Sequence, residues 1–114
     1  MLPKQKVVLH VEDDQSIASA LKRVLRDCTI VHVTNVPDAK SVLRSIRCDA
    51  IITDFNLGAP ETGGDLIKWI ADHLPHMSAK TILFTGNYDT AEIYPRVILK
   101  PAMGEVRQAL SVIA

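Results

Sequence analysis

Six side chains in four short stretches stand out for the chemistry they can do: Glu12, Asp13 and Asp14 in one run, then Asp54, Thr85 and Lys100. Packed carboxylates repel and raise one another's pKa values unless a cation neutralises them. Hard oxygen ligands with open positions suit Mg²⁺ or Mn²⁺. The hydroxyl of Thr85 can donate to a phosphoryl oxygen, and a lysine held by a following proline, as in Lys100-Pro101, can offer the same group a fixed cation. Each piece also has an ordinary explanation. Acidic residues often begin helices, where they cap free N–H groups and favour the dipole. A threonine can simply cap the next segment, and an exposed lysine is usually a solvated charge. Asp14 directly precedes Gln15-Ser16-Ile17 and fits the capping role, which leaves Glu12 and Asp13 for a metal.

The elements that position these residues decide between the two readings. Five runs have strand character: Val7–Val11, Thr29–Val33, Ala50–Thr53, Thr81–Phe84 and Val97–Leu99. Between them apolar residues recur at helical spacing, as Ile17, Leu21, Val24 and Leu25, then Ala39, Val42, Leu43 and Ile46, then Leu66, Ile67, Ile70 and Leu74. A last helix carries Met103, Val106, Leu110 and Ile113 on one side. Such alternation predicts an α/β fold, a parallel sheet with helical crossovers. Runs one and three are apolar almost throughout, whereas run two alternates, so the second strand belongs at an edge. In the flavodoxin-like, doubly wound order 2-1-3-4-5, strands one and three flank the switch point where ligands bind outside the carboxyl ends. Glu12 and Asp13 follow strand one, Asp54 follows strand three, Thr85 strand four and Lys100 strand five. Chance rarely sets four rims in that order.

The chain of 114 residues is 47% hydrophobic, enough for one core and too little for two, so residues 1–114 are expected to form a single domain with no output domain. Lys and Arg number 13 and Asp and Glu number 13, so no net field draws the chain to nucleic acid or to an acidic membrane, and partners are expected to be proteins or small anions. The N-terminus lacks the apolar stretch of a signal peptide, and no apolar run approaches the roughly 20 residues of a membrane span, which predicts a cytoplasmic location. Cys28 and Cys48 lie in no ligand spacing and are expected to be structural thiols. His10 and His32 lie within strands while His73 and His76 flank a helix end, so no rim common to the four is expected. Trp69, beside Ile70, is expected to pack.

The motifs Val11-Glu12-Asp13-Asp14, Ile52-Thr53-Asp54-Phe55-Asn56-Leu57, Phe84-Thr85-Gly86 and Leu99-Lys100-Pro101 together resemble the receiver domain of bacterial response regulators, the phospho-accepting half of two-component systems. The resemblance spans the whole chain. It implies that Asp54 is the phosphoacceptor, that Asp13 and Asp54 bind Mg²⁺ directly with Glu12 acting largely through water, and that the backbone carbonyl of Asn56 completes the protein ligands. Thr85 and Lys100 would hold phosphoryl oxygens, and Asn56 and Asn87 would bear on phosphate lifetime. A sensor histidine kinase or histidine phosphotransfer protein would supply the phosphoryl group, and a downstream protein would read the result. Mn²⁺ would serve in place of Mg²⁺.

The sequence departs from that family in two places. Thr85 to Lys100 is only 15 positions, so the fourth helix, the crossover between strands four and five, is expected to be reduced or lost. The aromatic that many receivers carry three residues before the lysine is here Val97, and Tyr94 or Tyr88 is the candidate replacement. After the phosphoacceptor, Gly58 stands where a proline is common, in a longer loop, Gly58-Ala59-Pro60-Glu61-Thr62-Gly63-Gly64, whose glycines are expected to act as turn punctuation.

Two other functions compete. A Mg²⁺-dependent phosphohydrolase with an aspartyl nucleophile would use a second acid two residues on, where this chain has Asn56. A phosphorylation-independent, receiver-like interaction module fits the shortened crossover but not the retention of Glu12, Asp13, Asp54, Thr85 and Lys100.

Overall fold

The computed structural model describes residues 5–58, 60–87 and 93–114. Its elements run β1 (Val7–Val11), α1 (Gln15–Val24), β2 (Thr29–Val33), α2 (Val36–Ser45), β3 (Ala50–Thr53), α3 (Gly63–His73), α4 (Pro75–Ser78), β4 (Thr81–Thr85), β5 (Val97–Leu99) and α5 (Met103–Ile113). The strands form one parallel sheet in the order β2-β1-β3-β4-β5, as the apolar pattern predicts. β2 is at the edge.

Alternation along the buried strands divides the core in two. Leu9, Val11 and Ile51 face α2 and α3, where they meet Val36, Ala39, Leu66 and Ile70. Val8, Ala50, Ile52, Ile82 and Phe84 face α1 and α5, where they meet Leu21, Leu25, Val106 and Leu110. Because both faces are covered, β3 and β4 are buried at every residue, which is why Ala50–Ile52 and Ile82–Phe84 run apolar without a break and the threonines stand at the strand ends.

Each helix before α4 starts where its sequence supplies a cap. Asp14 accepts from the amides of Ser16 and Ile17, Asn35 accepts from Asp38, and Thr62 and Asp65 close a reciprocal capping box. Asp14 therefore has the capping role expected of it.

The glycines correct the sequence reading. Gly58 does turn the loop, at φ +76°, a value closed to the proline that is common here in the family the motifs resemble. Gly63 and Gly64 are not punctuation but the first residues of α3, and they are glycines for want of space. A methyl group on Gly63 would overlap the backbone carbonyl of Asp54, so α3 can start this close to the end of β3 only without a side chain.

Between β4 and β5 the described residues, 86–87 and 93–96, are not helical, and positions 88–92, with Tyr88, lie outside the described residues. The one-turn α4 precedes β4 and was not expected. Pro75 looks like a helix stop, yet here it opens a new turn. Arg96, entering β5, donates to the carbonyls of Ser78 at 2.6 Å and Thr81 at 3.1 Å, and so ties that turn to the far edge of the sheet. No described helix is long and apolar enough to cross a membrane.

Substituting Gly63→Ala should cost about 3 kcal/mol, because the added carbon meets backbone that cannot move aside. Urea denaturation checks it; a loss under about 1 kcal/mol would mean that α3 does not approach Asp54 this closely.

Candidate functional site

The carboxyl ends of β1, β3 and β5 bring Glu12, Asp54 and Lys100 into direct contact. Lys100 Nζ lies 2.9 Å from Asp54 Oδ2 and 2.7 Å from Glu12 Oε1. Its position is set by the sheet: the Lys100 amide donates to the Thr85 carbonyl at 2.9 Å, continuing the β4–β5 ladder past Leu99. The Lys100–Pro101 bond is cis. Asp54 is gripped on its other oxygen, Oδ1, by the amide of the next residue, Phe55, at 2.7 Å. Both oxygens of Asp54 thus have a donor.

Carboxylate oxygens of Glu12, Asp13 and Asp54 all lie within 4.8 Å of one another. Glu12 is fully buried, Asp54 is 6% exposed and Asp13 faces solvent, so the group opens outward through Asp13. Glu12 Oε1 touches the ammonium as an ion pair but without hydrogen-bond alignment, and it has no other partner among the described residues. Such an under-satisfied buried oxygen beside two further carboxylates suits a small divalent cation.

The charges act on one another. Burial raises the pKa of Glu12 and outweighs the pull of Lys100 in the other direction. Burial likewise draws Lys100 down, but the carboxylates of Glu12 and Asp54 together outweigh it and hold the ammonium above its ordinary range. Lys100 stays charged.

Thr85, fully buried, joins the group through the backbone rather than the side chain. Its carbonyl receives Lys100, and its hydroxyl accepts from the Asn87 amide at 3.1 Å. Asn56, two residues past Asp54, is exposed in the loop.

Two histidines that the sequence reading set aside lie directly below. His10 and His32 are cross-strand partners with ring centroids 5.8 Å apart, while His73 ends α3 and His76 lies in α4. His32 Nε2 lies 2.8 Å from the Glu12 carbonyl. His10 is 1% exposed and neither ring nitrogen has a partner among the described residues. Burial, with the nearby His32 and Lys100, lowers its pKa to about 4. Strand alternation assigns His10 to a face; only register, which the sequence does not print, sets it beside His32.

Trp69 packs as expected, stacked on His73 at 4.9 Å and flanked by Lys40 and Arg44. Burial raises both thiols, Cys28 and Cys48, so neither is an activated nucleophile.

A linkage prediction follows from His10. Its pKa is lowered from 6.5 to about 4 in the fold, so between those values the unfolded state binds a proton that the folded state refuses, and stability is lost as pH drops. Glu12 acts oppositely, since its raised pKa favours the folded state as pH drops. His10→Leu removes only the first effect. Between pH 7 and pH 5 the variant should gain about 2 kcal/mol over wild type in urea denaturation; parallel pH profiles would contradict the buried neutral imidazole.

The model of the response regulator receiver domain matches residues 8–105. No curated protein gave a significant match. Among solved structures, a response regulator from Thermotoga maritima in complex with Mg²⁺-BeF superposes with a TM-score of 0.86 at 19% identity, covering 96% of this chain and 100% of that one. The signal receiver domain of an HD domain-containing protein from Pseudomonas fluorescens gives 0.85 at 23%, covering 96% and 94%. The chemotaxis response regulator CheY4 of Vibrio cholerae gives 0.82 at 18%, covering 97% and 100%. At these identities the structures speak to the fold, and the match along the sequence speaks to descent. The chain belongs to the response regulator receiver domain family.

Proposed function

We propose that this chain accepts a phosphoryl group on Asp54 in a Mg²⁺-dependent reaction and thereby switches a protein-binding surface. Membership in the receiver family supports two-component signalling in general. The observation that carries the specific reading is the Lys100 ammonium bridging Asp54 and Glu12, which puts an oriented carboxylate, an acidic group and a fixed cation at one sheet edge.

Asp54 is the nucleophile. As one of its oxygens bonds to phosphorus, the P–N bond of a phosphohistidine donor breaks, and the released imidazole takes a proton from solvent. The Phe55 amide keeps the carboxylate from rotating during attack. Lys100 exchanges its contact with Asp54 for the phosphoryl oxygens, where transition-state charge builds. Thr85 donates its hydroxyl to the same group, leaving the Asn87 amide. Glu12, Asp13, Asp54 and the carbonyl of Asn56 would hold the divalent ion, Mg²⁺ or Mn²⁺, which supplies positive charge against the phosphoryl oxygens. The donor would be a sensor histidine kinase or a histidine phosphotransfer protein, and the reader a downstream protein target.

One feature opposes the phosphohydrolase alternative: Asn56, two residues past Asp54, lacks the acid function needed to protonate a leaving group. A phosphorylation-independent module would not need to retain Glu12, Asp13, Asp54, Thr85 and Lys100 together.

Incubation with a small acyl phosphate and Mg²⁺, followed by intact-mass measurement, should add one phosphoryl group to wild type and none to Asp54→Asn. Chelating the divalent ion should slow labelling by at least about a hundredfold. Labelling of Asp54→Asn to the same extent would refute the assignment, and steady release of phosphate from ordinary phosphoesters would favour the hydrolase.

A further inference from the structure

Tyr94 lies six residues before Lys100, on the segment that leads into β5, yet its ring reaches across to α3. The contact is built on an absence: a methyl group on Gly64 would overlap Tyr94 Oη and press on Phe55 Cε2 at 3.0 Å. The rings of Tyr94 and Phe55 are 6.4 Å apart and tilted by 54°. Phe55 in turn supplies the amide that holds Asp54 Oδ1. Tyr94, Phe55 and the first turn of α3 thus form one packed unit directly behind the phosphoacceptor.

From this juxtaposition we infer that Tyr94 is a positioning residue for Asp54: seated on Gly64 and against Phe55, it fixes the turn whose amide orients the carboxylate. The inference rests on the proposed phosphoryl acceptance. It adds a residue that touches neither the phosphoryl group nor the metal ligands and acts through Phe55. It also gives the β4–β5 segment a second connection to the site. Lys100 reaches Asp54 from one end of β5 through charge, and from the other Tyr94 packs on Phe55, the residue whose amide holds Asp54.

Gly64→Ala separates this role from mere folding. Unlike Gly63, whose added carbon would meet backbone, Gly64 is crowded only by the ends of side chains that can swing away. Alanine is otherwise the better residue in a helix. The substitution therefore dislodges Tyr94 while leaving α3 intact.

The test uses the full chain and four variants: Tyr94→Ala, Tyr94→Phe, Gly64→Ala, and the double variant Gly64→Ala with Tyr94→Phe. Labelling by a small acyl phosphate is followed against donor concentration, and the Phe55 amide is followed by NMR. Tyr94→Ala and Gly64→Ala should each lower the limiting rate about tenfold with little change in half-saturating donor, since orientation rather than binding is lost. Both should shift the Phe55 amide upfield as its hydrogen bond to Asp54 loosens. Tyr94→Phe keeps the ring and should stay within about threefold of wild type, and in the double variant it should recover most of the rate lost in Gly64→Ala. If wild type is labelled and Tyr94→Ala keeps both the rate and the Phe55 shift, the positioning role is overturned while the proposed function stands. If wild type takes no phosphoryl group, the proposed function falls, and the Phe55 shift alone then decides whether Tyr94 orients Asp54. A Gly64→Ala loss that Tyr94→Phe does not rescue would likewise overturn it.

Discussion

Three carboxylates and one ammonium group share the carboxyl edge of this sheet, and the arithmetic of those charges governs much of the remaining structure. Lys100 offsets part of the negative charge, but an excess remains around a buried Glu12 whose ionised form burial already disfavours. A buried ion pair is costly to assemble and more costly to break, because losing one partner strands the other, at about 3–5 kcal/mol. Lys100 therefore has to be delivered accurately. The edge strand β5 does this by pairing with β4 and passing the Lys100 amide to Thr85. The residual negative charge is what a divalent cation would relieve, so the arrangement is balanced only when something positive arrives.

The two half-cores keep this balance from collapsing. With β1, β3 and β4 packed on both faces, the strand ends that carry Glu12, Asp54 and Thr85 cannot spread to reduce their repulsion. The start of α3 adds a tighter restraint, since Gly63 lets the helix close onto the Asp54 carbonyl and leaves the 54–55 turn little room. His10 sits beneath as a neutral ring with no hydrogen-bond partner among the described residues, an expense that the fold sustains next to the charged group.

Much of this was legible in the sequence for a physical reason. Sheet order follows from burial: a strand covered on both faces must be apolar at both alternations, as Ala50–Ile52 is, and an edge strand need not be, as Thr29–Val33 shows. Once the order is known, residues directly after strands fall on one rim, which is how Glu12, Asp13, Asp54, Thr85 and Lys100 could be placed together. What stayed hidden depends on partners distant in sequence. Pro75 reads equally well as a stop or a start, and the carbonyl contacts of Arg96 with the turn it opens come from 18 residues away. Gly63 and Gly64 look like loop residues because glycine's usual role is conformational, while their role here is spatial and set by Asp54 and Tyr94. The facing pair of His10 and His32 is a matter of register.

Phosphorylation of such a site would change a charge balance rather than a shape, so the motion has to begin with the group that is least held. Asp54 is fixed by Phe55 and α3, and Glu12 by burial, whereas Lys100 directly follows a three-residue strand paired on one side only. A phosphoryl group competing for that ammonium offers charge-assisted hydrogen bonds of about 1.5–3 kcal/mol each, enough to shift a two-state equilibrium tenfold or more. The displacement would enter β5 at Lys100, and the segment before it is anchored by Arg96 to α4 and by Tyr94 to α3. With a helical crossover reduced at least over its described residues, these two side chains are what the strand can move against. The signal would thus pass through packing on Gly64 and hydrogen bonds at Ser78 and Thr81, surfaces that lie on the α3 side of the sheet.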